Sequence, residues 1–120
     1  MLTTIDGFAD GIVAVRGTGL VTADDYRTIL TPAIARATAD GREARLLLDF
    51  GDGFEGYDTS AILSDSALGL GHFGSFERIA VVTDAEWLRR AIHLFGGFIP
   101  GDVRLFTTAE SHDAEAWIRG

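Results

Sequence analysis

Carboxylate and hydroxyl side chains crowd into one stretch of this chain, where Asp49, Asp52, Glu55 and Asp58 lead into Thr59 and Ser60. Two chemistries use such residues. Clustered carboxylate oxygens hold hard cations. A hydroxyl at a helix N-terminus carries a phosphate well, because free backbone N–H groups and the helix dipole favour an anion there. The spacing argues against the cation, since an EF-hand loop sets acids at alternate positions and closes on a bidentate Glu; no metal is expected. A phosphate on Thr59 or Ser60 would be repelled by the neighbouring carboxylates, and Asp58 or Thr59 equally suits the plainer role of a helix N-cap. Modification and capping both stand as readings.

Other reactive groups are scattered. His72, His93 and His112 are isolated, none with the i, i+4 partner of a helical zinc motif, and the chain has no cysteine. No Gly-x-Ser-x-Gly elbow exists. Gly17-Thr18-Gly19 and Gly51-Asp52-Gly53 are too short for a phosphate fingerprint. Neither a catalytic set nor a cofactor is expected, so the chain does not read as an enzyme.

Apolar side chains offer more. Turned at about 100° per residue, Trp87, Leu88, Ala91, Ile92, Leu94, Phe95 and Phe98 cover an arc of roughly 160°, wider than the stripe of somewhat over 100° that a sheet-covering helix needs. A preceding helical stretch carries Ile62, Leu63, Ala67, Leu70 and Phe73 on one side. Such surplus is either a broad core stripe or a surface awaiting an apolar ligand, a protein partner or a second copy. The residues assigned to that surface are Leu63, Leu70, Phe73, Trp87, Phe95 and Phe98. Glycines at 69, 71, 74, 96 and 97 loosen or end both helices.

These residues need a scaffold, and the composition supplies one. The chain has 120 residues, 47% of them hydrophobic, which suits one domain over 1–120 with a full core. Its net charge of −8, with arginines scattered rather than striped, excludes a phosphate-tracking nucleic-acid binder. No apolar run reaches the ~20 residues of a membrane span. The start, Met1-Leu2-Thr3-Thr4-Ile5-Asp6, lacks the basic and apolar regions of a signal peptide, so the cytoplasm is expected.

Along the chain, residues 2–5 and 12–15 read as a hairpin joined through Asp6-Gly7 and Asp10-Gly11, after which Arg16-Gly17-Thr18-Gly19 breaks the second strand or bulges it into Leu20-Val21. Thr22 and Asp25 open a helix that should kink at Pro32 and stop at Asp40-Gly41. Residues 45–50, 79–82 and 103–106 are apolar strands, and helices run over 59–73, 84–98 and from Thr107 or Thr108 through Ile118. Residues 51–57 read as a loop. The order is ββαβαβαβα, an α/β fold with a mixed, mostly parallel sheet and helices packed around it.

Leu46-Leu47-Leu48-Asp49-Phe50, Phe54-Glu55-Gly56-Tyr57, the run from Phe76 to Val82 and Pro100-Gly101-Asp102-Val103-Arg104 together resemble the SpoIIAA-like family of STAS-type domains, in order from Gly11 to Trp117. The resemblance implies a fold related to anti-sigma-factor antagonists and to Sec14-like lipid-binding domains. It implies little about function, because most members have no established biochemical role. In the antagonists an Asp-Ser-Ser-Gly stretch opens the second helix and one serine is phosphorylated by a partner kinase. Asp58-Thr59-Ser60-Ala61 stands in the comparable place, with Ala61 in place of the glycine. The Sec14 likeness implies that the apolar surplus lines a lipid-type pocket.

Overall fold

The computed structural model describes residues 1–9, 11–39, 41, 43–51, 54–57, 76–95 and 102–120. Strand alternation builds its core, because successive residues turn to opposite faces of a sheet. From β2 (Ile12–Gly17), β4 (Ala44–Phe50) and β6 (Phe76–Thr83), one cluster takes Val13, Val15, Leu46, Phe50, Ile79 and Val81. The opposite cluster takes Ala14, Leu47, Ala80 and Val82. Strands apolar on both faces belong to a sheet covered on both sides.

The three strands pair in parallel, Val13 beside Leu46 and Leu46 beside Ile79. At one edge β7 (Asp102–Phe106) adds in parallel, with Val103 opposite Ile79. At the other, β1 (Leu2–Thr4) adds antiparallel, with Thr3 opposite Arg16. The order is β1-β2-β4-β6-β7. The expected hairpin is therefore present, and Gly7 in its turn has a φ of 98° that favours glycine.

Parallel neighbours require crossovers. The β2-to-β4 crossover runs through α1 (Ala23–Asp25), a π-helical turn (Tyr26–Leu30) and α2 (Thr31–Ala37). It opens on a reciprocal cap: Asp25 N–H donates to Thr22 Oγ1 at 3.3 Å, and Thr22 N–H donates to Asp25 Oδ2 at 2.8 Å. Pro32 has no N–H to give the Thr28 carbonyl, and its ring crowds that oxygen. The π turn immediately before α2 adjusts the spacing there, so the feature expected at Pro32 is found just upstream of it.

The segment expected as a loop over 51–57 is partly a strand. β5 (Phe54–Tyr57) pairs in parallel with β3 (Gly19–Val21) to form a separate two-stranded sheet. β3 and β5 thus add to the expected element order. The two strands lie far apart in sequence, so the pairing leaves no mark in the local composition of either.

Two further helices cover opposite faces of the sheet. α3 (Glu86–Phe95) follows β6 and seals the larger cluster with the buried Leu88. α4 (Ser111–Arg119) follows a 3-10 turn (Thr108–Glu110) capped reciprocally by Thr107 and Glu110. Ala14, Ala80 and Ala114 are all buried in the cluster with Ile118, and small residues let α4 lie close to the strands. Its C-terminal carbonyls receive guanidinium donors, Arg78 Nη1 to Trp117 O at 2.6 Å and Arg45 Nη1 to Ile118 O at 2.9 Å, where cations complement the helix dipole. The Trp117 ring lies against the guanidiniums of Arg78 and Arg104, at 5.2 and 5.1 Å from its centroid.

Candidate functional site

Ligands of open α/β sheets usually sit at the carboxyl ends of the strands. Here the polar groups at those ends satisfy one another. Arg16 and Asp49 are register partners on β2 and β4, and their side chains pair at 3.4 Å. At the end of β6, buried Thr83 accepts a hydrogen bond from Ala85 N–H at 3.1 Å. Asp84 accepts from the backbone N–H of Thr108 at 3.0 Å and from its hydroxyl at 2.6 Å, and these bonds hold its carboxyl below the ordinary value of 3.8. Arg89 Nη1 donates to the carbonyls of Thr83 at 3.1 Å and Phe106 at 3.3 Å, tying α3 to the ends of β6 and β7.

The surface beside them is apolar. α3 turns Leu88 and Ile92 inward. Trp87 and Leu94 are seven residues apart, two helical turns, and so share a side of the helix. They lie on its shoulder, 51% and 73% exposed. Trp87 reaches toward β5: a Cβ built on Gly56 would lie 3.9 Å from Trp87 Cζ2. Gly56 adopts a φ of 132°, which side-chain-bearing residues rarely take. Its register partner on β3 is Leu20, 55% exposed, which stands beside the same bare backbone. Leu20, Gly56, Trp87 and Leu94 thus compose an apolar surface spanning the small sheet and α3.

Of the residues singled out in the sequence, Trp87 belongs to this surface. Phe95 ends α3. Leu63, Leu70, Phe73 and Phe98 lie outside the described residues, as do Thr59 and Ser60. Leu20 escaped the sequence reading, although an isolated leucine between Gly19 and Val21 fits an outward-facing strand position. In the acidic stretch, Asp49 is paired with Arg16 and Glu55 is exposed on β5, while Asp52 and Asp58 lie outside the described residues. Among the described residues no three His, Asp or Glu side chains converge on a common metal position. His93 is exposed on α3, and His112 Nδ1 lies 3.9 Å from a Glu115 carboxylate oxygen on α4. At the other end of the sheet an open cleft of about 410 Å³ runs between the hairpin and α2, lined by Ile5, Phe8, Ile12, Ala33, Arg36 and Ala37 among others. No helix among the described residues is long and apolar enough to cross a membrane.

The sequence profile of the SpoIIAA-like family matches residues 12–119. The chain belongs to that family. Its fold agrees with solved structures of SpoIIAA-like proteins. An uncharacterised protein of the DUF3478 family from Shewanella loihica PV-4, with a SpoIIAA-like fold, is 25% identical, with a TM-score of 0.76 over 98% of this chain and 93% of that one. The anti-sigma factor antagonist SpoIIAA in its unphosphorylated form is 16% identical, with a TM-score of 0.62 over 97% of this chain and 98% of that one. At that identity the likeness is one of fold. No curated protein matches the chain.

Proposed function

We propose that this SpoIIAA-like chain is a non-catalytic binding or regulatory module that works through the apolar surface around Trp87. The observation that carries the reading is the half-exposed Trp87 across Gly56, flanked by exposed Leu20 and Leu94. Exposed aromatic and aliphatic anchors of this kind supply most of the energy of an interface. In this reading Leu63, Leu70, Phe73, Phe95 and Phe98 extend the surface. The occupant is a lipid-like ligand or a protein, a second copy included, met in the cytoplasm. Supporting the non-catalytic reading, the polar groups at the strand ends among the described residues bond to one another, Arg16 to Asp49 and Asp84 to Thr108.

The test compares the wild type with Trp87→Ala, Phe95→Ala and Leu94→Ser. A neutral polarity-sensitive dye, lipid extraction and sedimentation would each be read, with circular dichroism to verify folding. At least one of the three should fall in the variants. The reading is lost if all three stay at the wild-type level.

A second reading is a phospho-switch at Thr59 or Ser60, supported by the fold shared with an anti-sigma factor antagonist described in its unphosphorylated form. Mass spectrometry of the protein from its native cell should then find phosphate on one of the two residues. Its absence from both across growth phases would remove this alternative.

A further inference from the structure

We infer that the β7 edge of the main sheet pairs with β7 of a second copy, antiparallel across a two-fold axis at Val103. This interface uses none of the residues around Trp87. Edge strands carry a row of backbone N–H and C=O groups with no strand to receive them. The two edges of this sheet differ. β1 is three residues long, the π-helical turn lies against it, and its backbone at Leu2 meets the Asp25 carboxylate. β7 is five residues long and ends the strand order. Among the described residues, β7 backbone groups from Asp102 to Leu105 bond to nothing beyond β6. The first outside tie comes after them, where Arg89 reaches the Phe106 carbonyl.

Alternation decides which side chains flank that edge. Val103 and Leu105 turn toward the larger cluster and are only partly buried against it. Arg104 turns to the α4 face, where its guanidinium lies 5.1 Å from the centroid of the Trp117 ring, and Asp102 shares that face. Both charges are exposed, and neither forms an ion pair among the described residues. Asp102 is the register partner of Arg78, but Arg78 Nη1 is turned onto the Trp117 carbonyl at 2.6 Å.

A strand with an acid and a base two positions apart is its own complement. In a two-fold antiparallel pair the residue on the axis faces itself, and residues equally far to either side face each other. With the axis on Val103, Asp102 of each copy stands opposite Arg104 of the other, and the two Val103 side chains meet on the other face. An axis on Arg104 would set two guanidiniums together. An axis on Leu105 would set Arg104 against Phe106 and match no charges. Unlike charges directly opposite stabilise a strand pair, and like charges destabilise it. The net charge of −8 opposes any approach of two copies, so the register that brings local attraction is the one selected. Its product is one sheet continuous through both copies.

The experiment is sedimentation equilibrium of the full chain over a range of concentrations, for the wild type, Asp102→Arg and Arg104→Asp, with circular dichroism to verify folding. The wild type should pass from monomer to dimer as concentration rises. Each reversal sets like charges opposite each other at both contacts and should weaken the dimer at least about tenfold. An equimolar mixture of the two variants should regain it, because each contact of the mixed dimer then joins an Arg to an Asp. The chain has no cysteine, so Val103→Cys and Leu105→Cys each introduce a single thiol. On mild oxidation the first should cross-link, its two Cα atoms lying within the ~7 Å that a disulfide spans. The second should not, being offset by roughly 13 Å along the strands. Should Arg104→Asp fail to fold for want of its Trp117 contact, Asp102→Arg and the thiol pair decide alone. A monomer at every concentration, a dimer indifferent to Asp102→Arg, or equal cross-linking at positions 103 and 105 would overturn the β7 interface. A dimer abolished by Trp87→Ala would overturn it too, while leaving the Trp87 surface as the binding site.

Discussion

Trp87 lies over a position where no side chain stands: a Cβ on Gly56 would come within 3.9 Å of its ring, and Gly56 holds a φ of 132°. That distance is an ordinary contact, so the ring would tolerate a methyl group. The backbone would not. Gly56→Ala is expected to lower stability by about 1–3 kcal/mol through backbone strain, measured by urea denaturation. The emission of Trp87 should change little, because the substitution strains β5 without displacing the indole.

A second bare position is tighter. Gly17, at the end of β2, faces the ring of buried Phe50, and a Cβ there would sit 2.5 Å from Phe50 Cδ1. Phe50 is enclosed and cannot step aside. Gly17→Ala should therefore cost roughly 1–3 kcal/mol by overpacking. Adding Phe50→Leu to the same chain should recover part of the loss in a double-mutant cycle.

The face under α4 predicts an asymmetry between neighbouring residues of β6. Ala80 lies beneath α4 with Ala14 and Ala114, whereas Ile79 faces the larger cluster. Ala80→Leu should push α4 outward and destabilise by about 1–3 kcal/mol. Ile79→Ala should destabilise by about 2–5 kcal/mol, through a cavity rather than a clash. Hydrogen exchange separates the two, since the first substitution should loosen the α4 amides in particular.

Acid should weaken the tie between β6 and the turn before α4. The two hydrogen bonds from Thr108 depress the Asp84 carboxyl below 3.8 in the folded chain. The sign follows: a depressed carboxylate contributes stability above its unfolded pKa, and the contribution is lost as pH falls through the lower folded value. Asp25 acts in the same direction, since burial raises its pKa but the Thr22 hydrogen bonds and the N-terminal ammonium together lower it further. Asp84→Asn should be less stable than the wild type at neutral pH, and the gap should shrink between about pH 5 and about pH 2. A gap unchanged over that range would contradict the assignment.

The main sheet was legible because its signals are local. Leu46-Leu47 and Ile79-Ala80 show two buried faces in alternating residues, and Thr22 with Asp25 announces a helix start within four residues. β5 was hidden because its partner β3 lies far upstream, and Gly56 and Glu55 gave the segment the composition of a loop. Pro32 marked an irregular helix correctly in kind, while its π turn depends on how the Thr28 carbonyl is accommodated. For the site, the helical arc placed Trp87 and Leu94 together. It gave no access to Leu20, which joins them only through strand pairing. The Arg78 and Arg104 contacts with Trp117 were invisible for the same reason, being set by the register of β6 against β7 and by the position of α4.

The exposure of Trp87 as an apolar anchor is tested most directly by collisional quenching of its fluorescence in a Trp117→Phe chain, with neutral acrylamide, caesium and iodide compared. Acrylamide should quench Trp87 readily, with red-shifted emission, and caesium should quench it more strongly than iodide because a chain of net charge −8 attracts one ion and repels the other. A blue-shifted emission shielded from all three quenchers would show a covered indole and contradict a binding surface at Trp87.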